Sequence, residues 1–167
     1  TYTGGSSGSA LVITFNANAT PTNVTALVKN ITYQNTDTDN PTTGARTLRF
    51  VLTDGDGGTS ANCDTTVTVS AVNDAPAVTT TGTALAYTEN GAATAVDSGL
   101  TVSDVDSTNL SSATITISAG FASSQDTLAF TNQNGITGSW NTSTGVMTLS
   151  GSATVANYQT ALRSITY

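Results

Sequence analysis

Apolar and polar residues alternate in short runs along most of the chain. Such β-type runs fall at 11–15, 47–53, 65–71, 84–88, 101–103, 113–118, 127–131 and 145–150. Alternation of period two predicts strands with one buried face. Turn-forming pairs separate the runs: Asn40-Pro41, Asp54-Gly55-Asp56-Gly57-Gly58, Asn90-Gly91, Asn134-Gly135 and Ser143-Thr144-Gly145. Many short strands at regular spacing predict an all-β sandwich. Two stretches break the alternation. Val155, Tyr158, Leu162 and Ile165 recur at helical spacing behind Thr154, a residue suited to cap a helix start. Val24, Val28 and Ile31 keep the same rhythm behind Thr20. Pro21 there sits at the first helical position, where its missing N–H costs nothing. Each stretch predicts a short helix feeding an Ile-Thr-Tyr strand, with its apolar stripe plugging one edge of the sandwich.

These two stretches belong to an internal repeat. Residues 19–33 match residues 153–167 without a gap at a displacement of 134 residues. The match runs back through Val12/Val146 and Thr14/Thr148 to Thr3-Gly4 and Thr137-Gly138. The expected organisation is the C-terminal part of one repeat at 1–72, a linker at 73–76, and the N-terminal part of the next repeat at 77–167. One short helix is expected per repeat. On this reading the chain is a mature product or a window within a longer array. Each sandwich is then completed by residues outside the window or by a neighbouring chain.

Composition narrows the function. Only 9% of residues are charged, the net charge is −7, and there is no His. An acidic chain with four cations does not track a phosphate backbone, so no nucleic acid is expected. The lack of His removes Ser-His, Cys-His and His-metal chemistry. No apolar run reaches the roughly 20 residues of a membrane span, so no membrane insertion is expected. Cys63 is the single cysteine and has no internal disulfide partner. A cysteine-poor chain rich in Thr, Ser, Asn and Gly predicts an extracellular, secreted or cell-surface setting of bacterial type.

The acids are not scattered. Asp37/Asp39, Asp54/Asp56 and Asp104/Asp106 are Asp-x-Asp pairs, and Asp74 and Glu89 also lie at turns or strand ends. In an extended segment, residues i and i+2 face the same way. Paired carboxylates repel unless a cation lies between them, and an all-oxygen donor set favours Ca2+. The competing reading is that Asp forms turns by bonding its own backbone. That reading suits Asp37 and Asp39, and it remains open for Asp54-Gly55-Asp56.

Thr53-Asp54-Gly55-Asp56-Gly57-Gly58, then Thr65–Val69, then Val72-Asn73-Asp74-Ala75-Pro76 resemble the closing strands and linker of a cadherin-type repeat. Glu89-Asn90 resembles the family's early glutamate motif, and Ser103-Asp104-Val105-Asp106-Ser107 its Asp-x-Asp loop. The chain is similar to cadherin-like tandem repeats of very large bacterial surface and biofilm proteins. The resemblance implies cadherin/Ig-like β-sandwiches with Ca2+ at their junctions. Its ligands would be Asn73 and Asp74 from the linker and Asp104 and Asp106 from the following domain, with Asn109 beside them. Asp54, Asp56 and Glu89 would serve junctions at the far ends of their domains. The chain departs from the family in lacking an Asp-Arg-Glu motif and in its sparsely acidic linker.

The function expected from this reading is a structural or adhesive extracellular repeat, stiffened by Ca2+ into a rod or filament. Its partners are neighbouring repeats or copies of itself, with cell-surface or matrix glycans as a further class. The alternative is a carbohydrate- or ligand-binding β-sandwich module using loop 132–140. Trp140 in that loop is either a stacking platform or a packing aromatic. No enzyme is expected. A glycosidase would need a pair of suitably placed carboxylates, and the acids here lie in turns with Glu89 the single glutamate.

Overall fold

A computed structural model describes all of residues 1–167. It consists mostly of strands in small antiparallel sheets, with two short helices. The chain packs as two units, residues 1–36 and residues 37–167.

In the first unit, β1 (Tyr2–Thr3) pairs with β2 (Val12–Ile13), and α1 (Pro21–Val28) follows. The helix begins as its sequence predicts. The Asn23 N–H donates to Thr20 Oγ1 at 3.3 Å, and Pro21 occupies the first turn. No residue of α1 is buried.

The second unit opens with a hairpin of β3 (Gly44–Phe50) and β4 (Cys63–Val69). One hairpin face carries Arg46, Leu48, Phe50, Val67 and Val69, all half-buried. The other carries Thr47, Thr66 and the directly opposed pair Arg49–Asp64, in which Arg49 Nε and Nη2 each donate to the carboxylate at 2.8 Å. Residues 37–76 contain no other helix or strand, so within them there is no second layer to close a sandwich. The run 47–53 forms a strand only to Phe50. Beyond it a Thr53–Thr59 bridge closes the Asp54–Gly58 tip.

The remainder holds the core. β5 (Ala77–Thr79) pairs with β6 (Thr101–Ser103), and β7 (Asn109–Thr116), β8 (Thr137–Asn141) and β9 (Val146–Thr154) form a sheet with β9 central. α2 (Val155–Arg163) continues directly from β9 and packs on β6, β7 and β9. Thr154 caps it, accepting from the Asn157 N–H at 3.2 Å. Tyr158, Ala161 and Leu162 turn inward onto Leu100, Val102, Met147 and Leu149. The Ile165–Tyr167 segment then runs between two partners, exchanging backbone hydrogen bonds with Thr94 and Val96 on one side and with Ala129 on the other.

Two strand expectations fail, and one strand was not expected, for identifiable reasons. The run at 84–88 ends in a turn with Asn90 at φ 60° and pairs with no strand. The run at 127–131 contributes only Ala129, because only there does the returning Thr166 come alongside. β8 was hidden in Thr-Gly-Ser-Trp-Asn, whose Gly and Ser are poor strand formers. Packing selects it: a Cβ on Gly138 would stand 2.5 Å from the Phe130 ring.

Candidate metal site at the 73–107 junction

Val72–Pro76 link β4 to β5 without regular structure, and Asp104–Ser107 form the turn between β6 and β7. Asp104 builds that turn. Its Oδ1 accepts from the N–H groups of Asp106 at 3.2 Å and Ser107 at 2.8 Å. These bonds, the Ser107 N–H foremost, hold the Asp104 carboxyl below its ordinary 3.8. The expectation that Asp104 and Asp106 stand side by side as in a strand needs correction. The segment is bent, and each carboxylate is oriented by turn bonds instead.

The linker meets this turn. The Asp74 N–H donates to Asp106 Oδ2 at 3.1 Å, across 32 positions of sequence. The Ser107 hydroxyl lies 3.4 Å from Asn73 Oδ1 and 3.3 Å from Asp106 Oδ1, within donating distance of either. Asn73 Nδ2 turns to the Asp74 carbonyl at 2.7 Å, and Asn40 Nδ2 donates to the Val105 carbonyl at 3.4 Å. Asp74, Asp104, Asp106 and Ser107 are half-buried, while Asn73 is exposed. An open hollow of about 350 Å³ borders Asn73, Pro76, Asp104 and Asn109.

The structure therefore brings Asn73, Asp104 and Asp106 to one turn, with Asp74 joined to it through its backbone N–H. Their donors are all oxygen, which suits a hard cation taking 6–8 oxygen ligands. No three acidic side chains are close enough to hold an ion by themselves. A bound ion would draw further ligands from the Asn73 amide, backbone carbonyls and water.

The remaining candidate ligands lie elsewhere. Asp54 Oδ1 accepts from Asp56 N–H at 3.0 Å and Gly58 N–H at 2.9 Å, so it builds its own hairpin tip. The Asp56 and Glu89 carboxylates are exposed, in the tip and in the turn at 89–90. Asp37 Oδ1 likewise caps the Asp39 and Asn40 N–H groups.

Two acids outside the expected set organise the second unit. Asp97 accepts from the Thr81 N–H at 2.8 Å and the Gly99 N–H at 3.0 Å, and both lower its carboxyl, Thr81 most. The Asp-Ser-Gly sequence at 97–99 was a readable turn signal for half of this. Asp126 accepts from the Tyr167 hydroxyl and the Ala122 N–H. That pairing, Tyr167 first, holds its carboxyl low and pushes the Tyr167 phenol above 10.0. Nothing local announces a partner 41 residues away. Trp140 is a packing aromatic: half-buried on β8, it meets Phe121 edge-on at 6.1 Å.

No protein-family description matches the chain, and no solved structure matches it. The chain is 37% identical over 129 residues to Halomucin of Haloquadratum walsbyi (strain DSM 16790 / HBSQ001). The match covers 74% of this chain and 1% of Halomucin, so the chain spans about a hundredth of that protein's length. No helix is long and apolar enough to cross a membrane.

Proposed function

We propose that the chain is a non-catalytic structural repeat of a long extracellular surface protein, in which Ca2+ at the 73–107 junction stiffens a tandem array. Two observations support the extracellular structural role: the internal repeat, and the similarity to Halomucin, a large archaeal surface protein. The observation that carries the junction is the Asp74 N–H bonded to Asp106 Oδ2. It ties the linker to a turn already furnished with carboxylates. Asn73, Asp74, Asp104 and Asp106 would hold the ion, and the ion would neutralise the repulsion among the carboxylates. Linker and turn would then move as one piece, so that successive domains hold an extended rod. Sandwich closure of cadherin type, and partnership with neighbouring repeats or copies of the chain, belong to the same proposal. Trp140 is half-buried and packs edge-on against Phe121, which favours this reading over a glycan-binding module.

Thermal melting and amide exchange of the full chain, with CaCl2 and then with chelator, test the proposal. A ligand at about a hundredfold excess over its Kd stabilises the folded state by about 2.7 kcal/mol. That gain should appear in the wild type and vanish in Asp104→Asn/Asp106→Asn, with slowed exchange confined to 73–76 and 104–107. Identical melting and exchange with and without Ca2+ would defeat the calcium mechanism.

A further inference from the structure

The two copies of the repeated motif differ in how far they are covered. At the common displacement of 134 residues, Ile13, Phe15, Val24, Leu27, Val28 and Ile31 stand where Met147, Leu149, Tyr158, Ala161, Leu162 and Ile165 stand. The latter six are all 9% exposed or less. None of the former is buried, and Phe15 is 39% exposed. Tyr2, at the position of the buried Ile136, is 75% exposed. Bulk is exchanged within the helix stripe: Tyr158 and Ala161 become Val24 and Leu27. Both stripes therefore suit a comparable apolar surface.

Polar groups agree with the apolar ones. Arg163 Nε donates to the Leu100 carbonyl at 2.7 Å, and the Tyr167 hydroxyl donates to Asp126. Their counterparts Lys29 and Tyr33 keep a cation and a phenol at the same places, and neither has a partner. Thr166 and Tyr167 are backbone-paired, Thr166 with Ala129 and Tyr167 with Thr94. Thr32 and Tyr33 make no backbone hydrogen bond. The Ile31 carbonyl and the backbone groups of Thr32 and Tyr33 are thus open where the second copy is flanked by chain.

We propose that residues 1–36 are the closing element of a preceding repeat and dock a segment built like residues 77–134. That segment supplies an apolar surface equivalent to Leu100, Val102 and Leu128, a carbonyl for Lys29 and a carboxylate for Tyr33. It lays extended chain along residues 31–33. Its source is the repeat joined directly before Thr1 in a tandem array. In the second copy the covering residues run straight into Gly135, the counterpart of Thr1. The inference rests on the tandem-array part of the proposed function and not on Ca2+.

The test is the full chain carrying an additional copy of residues 77–134 in front of Thr1, compared with the unextended chain in chelator throughout. Amide exchange at Thr32 and Tyr33 should slow on the order of 100-fold in the extended chain, while the protein stays monomeric. Aspartate at the positions of Val102 and Leu128 in the added copy alone should restore fast exchange, leaving the original core intact. Equal exchange in both chains would overturn the proposal. So would concentration-dependent protection of the unextended chain, which would make a second copy the occupant. Because chelator is present, a failed calcium mechanism leaves this result unaffected.

Discussion

Residues 1–33 and residues 135–167 carry the same motif and reach different states. Each has a threonine-capped helix behind a hairpin, and each cap is satisfied locally. In the second copy, β8 and β9 pair Thr137 with Ser150. The equivalent pairing in the first copy would join Thr3 to Asn16, yet Thr3 faces Val12. The register differs by four residues. Register is specified strongly where a face is buried and weakly where none is, and no residue of the first hairpin is buried. One sequence difference adds to this. Gly151, at φ 132° and with a Cβ position 2.2 Å from the Gly135 carbonyl, has Ala17 as its counterpart. The comparison separates what a helix decides by itself from what a packed face must impose.

The sharpest way to break this contrast is to empty equivalent positions. Leu149→Ala removes a side chain with no exposure, and should cost about 2–5 kcal/mol in denaturant unfolding of residues 37–167. Phe15→Ala, at the equivalent position, should change stability by about 0.5 kcal/mol or less. Similar losses at both sites would mean that the first copy has its own core.

Cap removal should give a smaller difference. Thr154→Ala should lower the stability of the packed unit by about 1 kcal/mol, because α2 is docked and its loss propagates. Thr20→Ala should reduce only the local helicity of α1, with the main transition unmoved. Calorimetry and NMR shifts at 21–28 distinguish the two. A shifted main transition on Thr20→Ala would contradict the independence of residues 1–36.

Acid should separate the copies most gently. All 11 acidic residues lie in 37–167, and residues 1–36 contain none. Asp97, Asp104 and Asp126 are held below 3.8 by their hydrogen bonds, to Thr81, Ser107 and Tyr167 foremost. A carboxylate with a depressed folded value stabilises the fold above its unfolded value, and that contribution fades as pH falls through the folded value. The melting temperature of residues 37–167 should therefore decline below about pH 4. Asp126→Asn should flatten part of that decline. The NMR shifts of α1 should stay constant from neutral pH through the same range, and a parallel acid transition in α1 would refute this.

Much of the architecture was legible because it is local. Both helices, their caps and Pro21 follow from a few neighbouring residues, as does the Asp54–Gly58 tip. β6 was predicted at its observed bounds, and β3, β4, β7 and β9 to within a few residues. β8 was not, since Gly138 and Ser139 weaken the strand signal and the pairing with β9 and the Phe130 contact override it. At the candidate site, Asn73, Asp74, Asp104 and Asp106 were implied by the cadherin resemblance, and the fold joins the linker to the Asp104–Ser107 turn through the Asp74 N–H. Ser107 and Asn40, which also bind the junction, carried no separate signal. The bent geometry of Asp104–Asp106 was missed because an i, i+2 argument assumes an extended chain.

The sequence by itself determined the repeat, the helix starts, the turns and the clustering of acids at them. All of these depend on contacts between residues a few positions apart, or on pattern alone. Only the tertiary structure decided which copy of the motif is buried, which register its hairpin takes, and which of the acids meet. Those outcomes depend on surfaces contributed by distant segments, such as Leu100 and Leu128 against Tyr158. An apolar stripe states that it requires a cover and does not state where the cover comes from.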